Sequence, residues 1–258
     1  MAGKRAKVLI NCDMGEAFGN YVCGPDQELM PLIDLANIAC GFHAGDARVM
    51  EQTVALCKAH KVLPGAHPSL PDLQGFGRRE MVLGAQEHRA NVVYQVGALR
   101  GFVEREGLDL HHVKPHGVLY GIMARDDTVA RAVWSALPRG SRVLGLANTA
   151  MERAALECGL DFWAEAYADV AYRADGSLII TKDRRAEGPR SLDAVRAHVR
   201  QQVFEGSVTA DDGSTVALGL KDYRLSVCCH SDSPGCVDIV RAAREVVDEF
   251  NASDMCLG

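Results

Sequence analysis

Apolar and polar positions follow two rhythms along this chain. Short β-prone runs stand at Lys7–Cys12, Ala36–Gly41, Val62–Ala66, His111–Lys114, Arg142–Ala147, Phe162–Ala166 and Leu225–Cys229. Between them apolar residues recur at helical spacing: Val49, Met50, Val54 and Cys57; Val92, Val96, Leu99 and Val103; Val129, Val133 and Leu137; Val195, Val199 and Val203; Ile239, Val240, Ala243, Val246 and Val247. That spacing predicts helices with one apolar face each, the longest closed by Gly107. Strand–helix alternation of this kind predicts parallel strands joined by right-handed crossovers. Seven repeats without a long interruption predict an α/β fold in the form of a seven-stranded β/α barrel, a single domain over residues 1–258. An open doubly wound sheet is the alternative, because strand order is not written in the pattern. Two stretches break the rhythm. YRADGSLII, within 169–183, predicts a β excursion, and VTADDGSTV at Val208–Val216 predicts a hairpin turning at Asp212–Gly213.

In parallel α/β proteins chemistry collects at the carboxyl ends of the strands. The residues that follow each run are therefore informative. The first is followed by Asn11, Asp13 and Glu16, the second by His43 and Asp46, the third by His67, Asp72, Arg78 and Arg79. The fourth ends in Lys114 and His116, the sixth in Glu165 and Asp169, the seventh in His230, Asp232 and Ser233. Only the fifth ends quietly, at Leu146–Asn148. Taken singly these are weak signals. Asp46 precedes a helix and could equally be its N-cap, as could Asp232 and Ser233 for the last helix. Taken together they are not: four of the nine histidines stand at run ends, each with a glycine or proline close by. Convergence on one pocket explains that; independent capping does not. Gly75 and Gly77 in DLQGFGRR predict a tight loop that lays Arg78 or Arg79 over an anionic group.

Composition narrows the choices. The 258 residues carry a net charge of −6, which offers no basis for nucleic-acid or membrane-surface partners. No apolar run is long enough to span a membrane. The nine cysteines form no C-x-x-C, and several lie inside apolar runs, the usage of a reduced, cytoplasmic protein. No P-loop, dinucleotide fingerprint, G-x-S-x-G or H-E-x-x-H occurs, so P-loop nucleotide binding and serine-triad chemistry are disfavoured.

NCDMGEAFG, ANIACGFHAGD, GAHPSLPDLQGFGRR and HVKPHGVLYG resemble, in order and spacing, the signature blocks of the LamB/YcsF family, the family of 5-oxoprolinase A-subunits. The resemblance runs from about Val8 to Asp169. It implies a seven-stranded β/α barrel related to glycoside hydrolases and carbohydrate deacetylases. It also implies ATP-dependent opening of 5-oxoproline to L-glutamate in a complex with subunits B and C. The last third departs from the family pattern: CHSDSPG stands where Val-His-Gly-Asp-Thr-Pro-Gly is usual, TKDRRAEGPRS replaces a basic–Pro-Gly-Ala stretch, and Gly121 replaces an asparagine.

On this resemblance Asp13, His43 and His67 are expected to hold a divalent metal, as in related deacetylases, with Asp46 or Glu16 as base. His116 would protonate the leaving nitrogen and Lys114 would stabilise an oxyanion or a phosphorylated amide. Without a metal, Asp13 and His43 would act as a base pair and ATP would supply the activation. Asn11, Arg78, Glu165, His230 and Asp232 are expected to contact substrate. The alternative is a stand-alone, metal-dependent hydrolase of another lactam, cyclic amide or acetylated sugar. The sequence leaves homo-oligomer formation open.

Overall fold

A computed structural model of the chain describes residues 4–183, 186, 188 and 190–257. Seven parallel strands close into a barrel: β1 (Leu9–Met14), β2 (Leu35–Ala39), β3 (Leu63–His67), β4 (His112–Val113), β5 (Arg142–Gly145), β6 (Asp161–Tyr167) and, after a hairpin, β9 (Leu225–Cys229). β9 pairs with both β1 and β6 and so completes the ring. Every strand lies within a few residues of a run expected from the sequence, and the open-sheet alternative is excluded by the closure.

Alternation along the strands separates two environments. On β1, Ile10, Cys12 and Met14 join the main core beneath the helices. Leu9, Asn11 and Asp13 face the barrel interior. Leu9 packs with Leu35, Leu144 and Trp163 in a small apolar plug, and Arg142 and Arg224 lay their guanidinium groups over the Trp163 ring. Above the plug the interior turns polar. Asn11 donates to Ser226 Oγ at 2.7 Å and to Glu165 Oε1 at 3.2 Å, and Asn37 donates to Asn11 Oδ1 at 2.7 Å.

The outer helices use the predicted apolar faces. In α2 (Ala47–His60) Met50, Thr53, Val54 and Cys57 are buried, and in α3 (Ala85–Arg105) so are Val92, Val96, Leu99 and Val103. Beyond α1 (Asp26–Leu29) the remaining helices are α4 (Gly117–Arg125), α5 (Asp127–Trp134), α6 (Ala150–Glu157), α7 (Leu192–Arg200) and α8 (Cys236–Ala252). The expected hairpin is present as β7 (Ser207–Thr209) and β8 (Thr215–Ala217), with Gly213 at φ 85°. The excursion near 172–180 closes as a bridge between Tyr172 and Leu178. Within TKDRRAEGPRS, Arg184, Arg185, Glu187 and Pro189 lie outside the described residues. No described helix is long and apolar enough to cross a membrane.

Candidate active site

The carboxyl ends of β1, β3, β4 and β9 bring Asp13, His67, Lys114 and His230 around one chamber. Lys114 Nζ lies 2.7 Å from Asp13 Oδ1, 2.9 Å from Cys228 Sγ and 3.8 Å from Glu165. Asn37 donates to the same Asp13 oxygen at 2.9 Å. The other oxygen, Oδ2, is 3.2 Å from His67 Nε2 and 3.7 Å from His230 Nε2. Burial pushes the Asp13 carboxyl up, but His67 and Lys114 outweigh it and hold the pKa well below the usual range. Burial lowers the Lys114 ammonium, yet Asp13 above all keeps it well above its ordinary value. Both stay ionised.

Beside this pair, Glu16, His43, His67 and His116 place their ligand atoms within 4.8 Å of one another, all buried. Gly15, at φ 67°, turns the chain after β1 so that Glu16 points back inward. Glu16 Oε1 is 3.1 Å from His43 Nε2 and 3.7 Å from His116 Nδ1, and Oε2 accepts from Ser231 Oγ at 3.0 Å. Burial first, then Asp13 and Asp232, raise the Glu16 carboxyl to about 7. Burial lowers His43 to about 3 and keeps His67 and His116 below their ordinary value.

The outer nitrogens of two of these rings are fixed. His67 Nδ1 donates to the Lys114 carbonyl at 2.7 Å, and His116 Nε2 donates to the Phe76 carbonyl at 2.9 Å. A carbonyl only accepts, so in each neutral ring the inner nitrogen carries the lone pair. Those inner nitrogens, His67 Nε2 and His116 Nδ1, face each other at 2.9 Å. Two lone pairs at that separation require a shared proton or a cation between them, and burial disfavours the proton. Carbonyls orienting the outer nitrogens of imidazoles are also the usual surround of a metal centre. Three imidazoles and a carboxylate therefore fit a divalent cation of the zinc kind.

The loop after β3 roofs the chamber. Phe76 takes a left-handed φ of 55°, which aims its carbonyl at His116. Gly77 follows at φ 65°, where a side chain would collide with Ser69 and crowd His43 and His116. Arg78 is buried over the Phe76 ring and pairs with Asp232 at 2.6 Å. Its neighbour Arg79 is exposed and pairs with Asp72.

Of the residues singled out in the sequence, Asp13, Glu16, His43, His67, Lys114, His116 and His230 meet here. Asn11 and Glu165 lie one layer deeper, and Arg78 with Asp232 forms the rim. Asp13 is outside the four-residue cluster but touches its His67. Asp46 is not in the chamber: its carboxylate caps α2 through the Arg48 and Val49 amides and receives the Gly19 amide at 2.8 Å. Sequence reasoning passed over two supports. Asn37 bridges Asp13 and Asn11, with its Oδ1 2.8 Å from His112 Nε2, and Ser231 holds Glu16. Asp169, read from the sequence only as a strand-end acid, pairs with His230 Nδ1 at 2.8 Å. An asparagine inside the otherwise apolar LANIA was the one readable signal for the missed pair.

A closed parallel β/α barrel whose strand ends bury an acid–imidazole–ammonium cluster defines a barrel protein with hydrolase-type machinery. More narrowly, the chain belongs to the LamB/YcsF family, matched over residues 8–255, so the divergent last third is included. It is 58% identical over 251 residues to a protein of Emericella nidulans named "Lactam utilization protein lamB", covering 97% of this chain and 98% of that one. It is 42% identical over 254 residues to a 5-oxoprolinase A-subunit of Symbiobacterium thermophilum, covering 97% and 95%. The crystal structure of a lactam utilization protein from Thermus thermophilus superimposes with a TM-score of 0.83 at 40% identity, covering 94% of this chain and 96% of that one.

Proposed function

We propose that this chain is the lactam-opening component of an ATP-dependent 5-oxoprolinase, converting 5-oxoproline to L-glutamate together with subunits B and C in the cytoplasm. The observation that carries this is the buried cluster of Asp13, Lys114, Glu16 and three histidines in a chain whose relatives are named for lactams and for 5-oxoprolinase.

Opening the ring adds water across an amide. The carbonyl carbon gains the hydroxyl and the ring nitrogen gains the proton. Glu16, which keeps its proton to about pH 7 in the cluster, must release it before binding a cation. Lys114, held charged by Asp13, faces the chamber as a donor for the oxygen that gains negative charge. His230 presents Nε2 to the chamber while Asp169 anchors its Nδ1, an arrangement suited to protonating the leaving nitrogen. His116, the residue first expected in that role, has both nitrogens engaged, by Phe76 and by the cluster. Glu16, His43, His67 and His116 would hold a divalent cation. When bound, that cation supplies Lewis acidity, lowering the pKa of water and polarising a carbonyl.

Glutamate release from 5-oxoproline by the chain assembled with its partner subunits tests this. Turnover is expected with ATP and partners present and not from the chain alone. Elemental analysis of the purified chain is expected to find about one divalent ion per chain. The fact that one chain supplies every ligand of the cluster favours the second reading, a stand-alone hydrolase of another lactam, cyclic amide or acetylated sugar. ATP-independent turnover of such an amide by the chain alone would select it.

A further inference from the structure

The chamber around Asp13, Lys114 and His230 encloses 40 Å³, room for about three waters at roughly 10–15 Å³ each. A carboxylated lactam ring does not fit within it. Beside it lies a cleft of 840 Å³, in the range of about 300–1,000 Å³ that holds drug-sized ligands. Arg78, Tyr120, Leu178 and Ile180 line both spaces, so the two communicate. Val118, Leu146, Val216 and Leu218 give the cleft an apolar wall, and Arg125, Arg173 and Lys182 place cations on it.

The junction carries an unsatisfied group. The Tyr120 hydroxyl is buried beside Tyr167 and Glu165, yet makes no hydrogen bond of normal geometry. A ligand passing from chamber to cleft would meet it. The cleft suits a nucleotide poorly. Its two tyrosines, Tyr120 and Tyr172, are buried and offer no open ring face to a purine, while Arg79 and Arg125 are paired with Asp72 and Glu80.

We propose that the cleft is a subsite for a group attached to the lactam, so that the chain recognises 5-oxoprolyl peptides. The ring sits where chamber and cleft join, between Arg78, Tyr120, Leu178 and Ile180, the second residue's side chain lies on the apolar wall, and its carboxylate faces Arg173 and Lys182. This rests on the lactam reading above and extends its substrate class. Opening such a ring forms the bond from water oxygen to carbonyl carbon and breaks the carbon–nitrogen bond. The nitrogen takes the proton, and the product is the glutamyl peptide with a free α-amino group.

Gly121, on α4, keeps the cleft open. A Cβ there would touch only Arg125 Nη1 at 3.5 Å and Ile180 Cδ1 at 3.6 Å, so a larger residue is accommodated by filling the cleft. Calorimetric titration of the full chain with 5-oxo-L-proline and with 5-oxo-L-prolyl-L-leucine tests the proposal. The dipeptide is expected to bind about tenfold more tightly, the worth of burying one leucine side chain in part. Gly121→Leu is expected to erase that difference. Equal affinities in the native chain, or binding of 5-oxoproline alone, would overturn the subsite and leave the lactam reading standing. ATP that displaced the dipeptide and not 5-oxoproline would reassign the cleft to a nucleotide. Binding of neither lactam would remove both readings.

Discussion

The two sides of the barrel mouth are built differently. On the β1–β4 side the polar side chains are buried and held by at least one partner of defined geometry: Asp13 by Lys114, Asn37 and His67, His116 by Phe76, Glu16 by Ser231. On the β5–β6 side the wall comes from the loop after β5, the 172–182 excursion and the β8 region, and it is open and mixes apolar with charged side chains. One side holds its charged groups and imidazoles in direct contact with one another, and the other leaves volume. Chemistry and substrate choice are thus carried by separate stretches of chain, and each can be perturbed alone.

The largest effect is expected at Asp13. Asp13→Asn leaves Lys114 without its charge partner and removes the carboxylate that faces His67, and turnover in the assembled complex should fall roughly 10³-fold, with the circular dichroism spectrum retained. Next comes Glu16→Gln, which removes the one anionic ligand of the cluster. Zinc affinity should fall more than about 100-fold, read by competition with a chelator. In the native chain that affinity should rise with pH until about 7 and then level off, because Glu16 loses its proton there while burial lowers all three histidines below their ordinary value.

Asn37 touches no substrate and acts as a positioning residue. Asn37→Leu should lower kcat about tenfold with little change in KM, and Asn37→Asp should not restore it, since a second carboxylate would repel Asp13. A merely structural role would instead lower the melting temperature and leave kcat unchanged in the fraction that folds.

The smallest effect concerns Asp26, whose Oδ2 accepts the Gly15 amide at 2.8 Å while Oδ1 is buried without a partner. Burial raises its pKa from 3.8 to about 7. The folded chain therefore keeps a proton that the unfolded chain gives up near 3.8. The stability this lends is full below that value and is lost as pH rises to about 7. Asp26→Asn should match the native melting temperature in acid and exceed it by roughly a few degrees above about pH 7. Equal melting curves at all pH values would discard this assignment.

The barrel was legible because its strands are short apolar runs ending at glycine, proline or a polar residue, a pattern fixed by burial on both faces. The histidines were legible because His43, His67, His116 and His230 all follow such runs. Glu16 was harder to place, since its direction depends on the left-handed turn at Gly15. Asp46 was ambiguous from sequence because a cap and a base look alike before the helix is seen. Asn37 and His112 were hidden because the barrel interior, unlike an ordinary core, contains a polar layer. The cleft was not legible at all: its walls join residues 78–80, 118–125, 146–149, 172–182 and 216–220, and no local pattern brings those together.

Glutamate release by the assembled complex carrying His67→Ala tests most directly whether the lactam is opened at this barrel mouth. With ATP, partners and 5-oxoproline all present, the expected result is no glutamate above background from a chain that still folds and still assembles. Release at the native rate would place the reaction elsewhere and contradict a catalytic role for the cluster.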